Sequence, residues 1–207
     1  NEETPSYVDF ITGEGGVIDT WLRRGAAGFR LDVADELPDS FIEKVRAAVK
    51  RVGPEKFLLG EVWEDGSNKI AYSQRRRYLL GSETNGLMNY PFRTAALDWL
   101  RGGDAAVFRD TMEVIREHYP RPAFYSALNI LGTHDTPRIL TLLGAEDVPD
   151  TKDGRAAYRL SPAQRQKGQA RLRVGEMLLY CFPGSPTVYY GDEAGMEGFE
   201  DLSLIHI

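Results

Sequence analysis

Three apolar runs in this chain end in acids. Residues 25–36 read GAAGFRLDVADE, and Arg30 and Asp32 interrupt the apolar run from Gly28 to Val33. The run FLLGEVW (57–63) leads to Glu61, and ALNILGTHD (127–135) leads to His134 and Asp135. Charged side chains are rarely buried unless they are paired. Residues two apart on a strand share a face, so Arg30 and Asp32 point the same way. An ion pair between them favours the charged carboxylate. If the three runs are neighbouring strands, Asp32, Glu61 and Asp135 converge on one mouth. Converging carboxylates are pushed apart in proton affinity, one staying ionised while another holds a proton. Two-carboxylate glycoside hydrolysis has that requirement: an ionised acid attacks the anomeric carbon while a protonated acid donates to the leaving oxygen. Arg30 and His134 are placed to supply positive charge and hydrogen bonds.

The elements that must position these groups follow a strand–loop–helix rhythm. A helix is expected over 16–25, with Val17, Trp21 and Leu22 on one side and Gly25 as its stop. Phe41, Val45, Ala48, Val49 and Val52 recur with helical spacing, from Pro38-Asp39 to Gly53-Pro54. Residues 68–80 read as helical. GLMNYPF (86–92) reads as a short strand with a turn at Pro91, and 93–118 as two helical pieces broken at Gly102-Gly103. Residues 144–161 are polar and irregular. Ala170, Val174, Met177, Leu178 and Cys181 mark a helix ending before Pro183-Gly184, with Cys181 in the core. PTVYYGDE (186–193) reads as a last strand. Five strands, near 28, 57, 86, 128 and 186, alternate with helices, which implies an α/β fold of parallel βαβ units. Two architectures fit: an open doubly wound sheet, or part of a (β/α)8 barrel. Both bind ligands at the carboxyl ends of their strands.

The 207 residues suffice for one large domain or two small ones. A net charge of −6 argues against a nucleic-acid surface. The single cysteine, Cys181, allows no disulfide within the chain and no cysteine-based metal site. No apolar run approaches the ~20 residues that span a bilayer. No apolar leader is visible, and a cytoplasmic location is expected, although the first residue is Asn1 rather than Met.

GFRLDVADE, LLGEVWED and LNILGTHDTPR resemble three segments of the α-amylase superfamily (glycoside hydrolase family 13), and GSPTVYYGDEAG resembles that family's last barrel strand. Order and spacing agree, with 29 residues from Asp32 to Glu61 and 74 from Glu61 to Asp135. MNYPFR and GTHDTPR lean toward the neopullulanase, cyclomaltodextrinase and maltogenic amylase branch. The resemblance implies a partial TIM (β/α)8 barrel, its fourth to eighth strands with their helices, over residues 1–201. It makes Asp32 the nucleophile, Glu61 the acid/base and Asp135 the holder of sugar hydroxyls. It places Arg30 and His134 in the subsite of the attacked sugar. The implied activity is retaining hydrolysis of α-glucans or maltooligosaccharides. Transglycosylation on the same scaffold, or a non-catalytic homologue that binds carbohydrate or a partner, are the alternatives. A homodimer is an option for the full-length parent, and calcium is the one metal the resemblance leaves open there. No nucleic-acid or membrane partner is implied.

Blander readings accompany each residue. Asp32 could serve only as the partner of Arg30, and Glu61 only as a cap on the next helix. His134 could satisfy a backbone group. Trp63, Tyr90 and Phe92 are candidate sugar-stacking walls or plain packing. Asp35 and Glu36 could contact substrate or an ion but read as solvated loop acids, Asp192-Glu193 could bind a ligand or only fix the final loop, and Arg75–Arg77 read as a solvated helix face. The family's preceding strand, ending in an Asp and an Asn-His pair, is expected before residue 1. The stretch LSLIHI at 202–207 matches nothing in the family and is expected to be a foreign tail on a partial gene product.

Overall fold

A computed structural model describes residues 2–199, so the 202–207 reading lies outside the described residues. The chain divides into two compact units, one running to Asn89 and including Glu113–Leu128, the other Tyr90–Met112 with the residues from Asn129 onward.

In the first unit, helices α1 (Pro5–Thr12) and α2 (Val17–Arg23) precede strand β1 (Gly28–Leu31). Gly25, at φ +110°, lets the chain leave α2 through a conformation that L side chains rarely adopt. Helix α3 (Asp39–Val52) then leads to β2 (Phe57–Gly60). Its helical periodicity is borne out: Phe41, Ile42, Val45, Ala48 and Val49 are buried. They join Ile18 and Leu22 of α2 and Leu58 of β2 in one core, against which Val8, Phe29 and Leu31 pack. Burying each such large apolar side chain contributes about 1.5–3 kcal/mol. The side expected for α2 is corrected: Trp21 is half exposed, and Ile18 with Leu22 faces α3.

Residues 68–80 are not helical. They form an antiparallel hairpin, β3 (Ile70–Ala71) and β4 (Gln74–Arg75), turning through Tyr72 and Ser73 at φ +52° and +61°. Two consecutive positive φ values define the hairpin turn that matches strand twist. The unit closes with β5 (Gly86–Asn89), so its sheet runs β1-β2-β5, all parallel. Gly28 permits close approach of β1 to β2, since a Cβ there would lie 2.0 Å from the carbonyl oxygen of Phe57.

The chain continues into α4 (Tyr90–Leu100), where Pro91 lies in the first helical turn instead of the expected separate turn. Helix α5 (Ala105–His118) follows the Gly102-Gly103 break as expected, then α6 (Arg121–Tyr125) and β6 (Leu128–Ile130). In the second unit come α7 (Ile139–Gly144), the short α8 (Lys152–Ala157) inside the segment read as irregular, α9 (Pro162–Cys181) and β7 (Ser185–Thr187), which lies beside β6. Helix α9 opens on a capping box: Gln164 N donates to Ser161 Oγ at 3.3 Å and Ser161 N donates to Gln164 Oε1 at 2.9 Å. Its buried stripe is Gly168, Leu172, Gly175 and Leu179, while Val174, Met177 and Cys181 are exposed. The expected apolar stripe was therefore on the wrong side. A Cβ at Gly168 would meet Leu140 and Gly144 at about 3.0–3.1 Å, so glycines set the contact between α9 and α7. Phe92, Phe108 and Phe182 pack ring to ring in this unit, which makes Phe92 core.

Candidate active site

Strands β1 and β2 pair with Leu31 opposite Gly60. Continued by one residue, that register sets Asp32 level with Glu61, each one position past its strand. The main chain holds them there: Glu61 N donates to Leu31 O at 3.0 Å and Ala34 N donates to Glu61 O at 3.1 Å. Between these bonds Val33 takes up left-handed backbone, φ 43° and ψ 57°. β-Branched residues rarely do so. The conformation turns the Val33 N–H onto the Glu61 side chain, where it donates to Oε2 at 2.8 Å.

Arg30 joins the two acids. Its Nη1 donates to Asp32 Oδ1 and its Nη2 lies against Glu61 Oε2, both at 2.8 Å. From β5, Met88 Sδ accepts from Arg30 Nε at 3.1 Å and fixes the third edge of the guanidinium. Trp63 Nε1 donates to Glu61 Oε1 at 3.3 Å. The acids differ in access: the Asp32 side chain is 71% exposed and that of Glu61 3%. One carboxylate is thus open to an incoming carbon, while the other is buried with donors on both oxygens. Such donors offset much of the desolvation penalty.

A second layer holds the turn after Asp32. Arg76 is buried. Its Nε donates to Asp39 Oδ1 at 2.6 Å, Nη1 to Asp35 O at 2.8 Å, and Nη2 to Leu37 O. Arg76 also stands 4.8 Å above the ring of Tyr78, whose hydroxyl donates to Asp35 Oδ1 at 2.6 Å. Burial, then that carboxylate, pushes the Tyr78 hydroxyl far above the ordinary tyrosine range. Lys69 Nζ lies 3.0 Å from Asp35 and 2.6 Å from Glu64. Glu36 accepts from the Tyr72 hydroxyl. Asp35 is not a solvated acid and Arg76 is not on a solvated face: the first is tied to Tyr78 and Lys69, and the second is the buried clamp of this turn, after a hairpin rather than on a helix. Glu36, Arg75 and Arg77 are exposed, as expected.

In the second unit, β6 leads to His134 and Asp135. His134 Nε2 lies 3.1 Å from Asp135 Oδ2, and both side chains are more than two-fifths exposed. Asp135 N donates to Thr133 Oγ1 at 3.3 Å, which shapes the turn. Beyond it Arg138 is buried over the rings of Tyr189 and Tyr190, 4.5 Å from each centroid, with Asp192 Oδ1 3.5 Å away. Burial raises the Asp192 carboxyl to about 6, against the opposing pull of Arg138. The Asp192 backbone closes the final turn, its N–H donating to Tyr189 O at 3.0 Å and its carbonyl accepting from Gly195 N at 3.0 Å.

Of the stacking candidates, Trp63 is 47% exposed and offers a ring face, whereas Tyr90 is 2% exposed and offers none. Packing of α4 accounts for Tyr90. Sequence reasoning missed the Val33 N–H, the Met88 sulfur and the Arg76 clamp. Only Met88, one position from a strand end, carried any signal in its placement. Among the described residues no three His, Cys, Asp or Glu side chains gather as a metal site. No helix among them is long and apolar enough to cross a membrane.

Adjoining parallel strands that end in level carboxylates define the class: an α/β protein with a paired-carboxylate site at the carboxyl edge of its sheet. Residues 3–205 match the family model described as "Alpha amylase, catalytic domain", and the chain belongs to that family of glycoside hydrolases. An amylopullulanase of Thermoanaerobacter thermohydrosulfuricus is 35% identical over 215 aligned residues, covering 95% of this chain and 14% of that protein. A cyclomaltodextrinase of Geobacillus thermopakistaniensis is 33% identical over 184 residues, covering 87% and 26%. Among solved structures, the type III pullulan hydrolase from Thermococcus kodakarensis superposes with a TM-score of 0.77 at 27% identity, over 97% of this chain and 32% of that one. The chain thus spans about a seventh to a quarter of the length of these two curated relatives.

Proposed function

We propose that this chain is part of a (β/α)8 catalytic barrel, contributing its fourth to eighth strands, and that the whole protein is a retaining hydrolase of α-glucosidic bonds in α-glucans or maltooligosaccharides. The observation that carries this reading is the pairing of Asp32, exposed, with Glu61, buried, through Arg30 and a shared strand register. In the first step an Asp32 carboxylate oxygen attacks the anomeric carbon. The C–O electron pair leaves with the glycosidic oxygen, which takes the proton from Glu61. In the second step Glu61 removes a proton from water, whose oxygen displaces Asp32. Retention needs the two carboxyls about 5–5.5 Å apart. Neighbouring strands, about 4.8 Å apart, start them from backbones at a matching distance.

Arg30 stays bonded to Asp32 until that carboxylate becomes an ester, and so orients the attacking oxygen. Asp135, with His134 beside it in the second unit, takes the role of holding sugar hydroxyls on the family pattern alone, and the ring of Trp63 is the sugar-facing aromatic. Calcium in the full-length protein rests on the family alone, and no step here uses it. The relatives' names point to pullulan, cyclodextrins and starch-type chains as substrates to try. The test compares sugar release from maltotriose, pullulan and cyclodextrin by the chain and by its Asp32→Asn variant. Release above the variant's supports the assignment. Equal release by both defeats it for this chain.

A further inference from the structure

The connection from β2 to β5 carries a hairpin where a parallel crossover usually carries a helix. At its tip Tyr72 and Ser73 stand at φ +52° and +61°, where Gly or Asn is the default. A bulky side chain in that conformation is an outlier, and such strain gathers at ligand-binding sites. Packing does not call for an aromatic there, because Tyr72 is 70% exposed. Its hydroxyl donates to Glu36 Oε2, and Glu36 N donates to Val33 O at 2.9 Å. The ring is thus tethered at its hydroxyl end to the turn that follows Asp32, while the rest of it stays open to solvent.

Tyr72 forms one wall of a cleft of about 530 Å³ between the hairpin and the start of α3, within the first unit. Two acids line this cleft, and both are engaged. Asp39 takes Arg76 Nε on Oδ1 at 2.6 Å and Arg77 Nε on Oδ2 at 3.4 Å, and Glu36 takes the Tyr72 hydroxyl. An ionic ligand would have to compete with those pairs. A neutral, hydroxyl-rich ligand would not. Its C–H face can stack on the exposed ring, and its hydroxyls can meet Ser40, Gln74 and Arg75, which line the cleft and are exposed. Arg75 is itself held in place, since Ser67 O accepts from its Nε at 3.2 Å and its Nη2 at 2.9 Å. We propose that this cleft is a subsite for the α-glucan chain beyond the sugars at the scissile bond, with the Tyr72 ring as its stacking face and Ser40, Gln74 and Arg75 as partners of the hydroxyls. The substrate class rests on the hydrolase reading above, whereas the cleft and its tethered ring do not. A ring fixed before the ligand arrives loses little side-chain freedom on binding. The hairpin is then a specificity element that favours long chains over short ones.

The probe is maltoheptaose, titrated into the Asp32→Asn chain so that none is consumed. Binding is followed by calorimetry and by the backbone amides of Tyr72 and Gln74 in a nitrogen–proton correlation spectrum. Both amides are expected to move with maltoheptaose. Adding Tyr72→Gly, which keeps the turn because glycine adopts positive φ, is expected to weaken binding about 10-fold. Tyr72→Phe keeps the ring and is expected to lose less, and Ile70→Ala, exposed on the same hairpin, to lose nothing. No binding, a loss below about 3-fold in Tyr72→Gly, or an equal loss in Tyr72→Phe or Ile70→Ala overturns the subsite. Amides that move with inorganic phosphate and not with maltoheptaose overturn the ligand class. Binding that depends on Tyr72, in a chain whose sugar release equals that of Asp32→Asn, counts against the hydrolase reading only. Release above that variant's, with binding indifferent to Tyr72, counts against this subsite only.

Discussion

Two glutamates of the first unit are buried to the same degree and treated in opposite ways. Glu61, 3% exposed, has Arg30 and the Val33 N–H on one oxygen and Trp63 on the other. Glu83, fully buried in the loop before β5, has no hydrogen-bond partner on either carboxyl oxygen. Its nearest cation is Arg77, whose Nε is 3.8 Å from Oε1. Burial, with Asp39 adding repulsion and Arg76 and Arg77 opposing, raises the Glu83 carboxyl to about 7. The fold therefore does not bury acids indiscriminately. It surrounds one with donors at a strand end and leaves the other without them, so that burial raises the second carboxyl. Burial alone does not separate the two environments, whereas the donor set does.

The sharpest break of that comparison is at the working pair. In any assay where the protein turns over, Glu61→Gln is expected to lower kcat on the order of 10²–10⁴-fold, the range for loss of a general acid/base. Glu83→Gln is expected to leave kcat unchanged. Comparable losses in both would abolish the distinction. Next comes the shared guanidinium. Arg30→Met leaves Glu61 buried beside an N–H and an indole but without its cation, and destabilises the fold on the order of 3 kcal/mol in urea unfolding at pH 7. Asp32, largely exposed, does not add to that penalty. A loss below about 1 kcal/mol would mean that Val33 and Trp63 suffice for Glu61.

Glu83 sharpens the comparison from the other side. Its carboxyl titrates near 7 in the fold, above the ordinary glutamate value, so the folded state binds the proton more tightly than the unfolded chain does. The resulting stability is fully present below about pH 4.5 and is lost as pH rises through about 7. The total is roughly 3 kcal/mol. Glu83→Gln is expected to remove this slope, so the variant gains on the parent as pH rises from 5 to 8. Parallel unfolding curves for the two proteins across that range would show that Glu83 is not the titrating group.

Much of the pairing was legible in the sequence because it follows from strand register. Acids that end neighbouring parallel strands stand level, and the strand runs around Asp32 and Glu61 are apolar enough to be recognised. The hairpin at 70–75 was not legible. Its turn, Tyr72-Ser73, lacks the Gly or Asn that usually marks positive φ. The Arg76 clamp was hidden for the same reason, since a run of three arginines reads as solvated until one is known to enter a turn rich in carbonyls. The buried side of α9 was misread because its close contacts use Gly168 and Gly175, which carry no apolar side chain for periodicity to register. Asp135 and His134 were legible as a motif, and their own geometry shows a local pair.

The smallest expected effect tests how the fold delivers the Val33 N–H to Glu61. A β-branched residue held at φ 43° costs on the order of 1–2 kcal/mol. Val33→Gly relieves that strain but adds about 0.5–1 kcal/mol of backbone entropy to the unfolded chain. The half-exposed Val33 side chain contributes little burial of its own. The variant is therefore expected to be more stable than the parent by about 0.5 kcal/mol, measured by urea unfolding at fixed pH. A loss of 1 kcal/mol or more would mean that the Val33 side chain, and not only its backbone, holds the turn between the two acids.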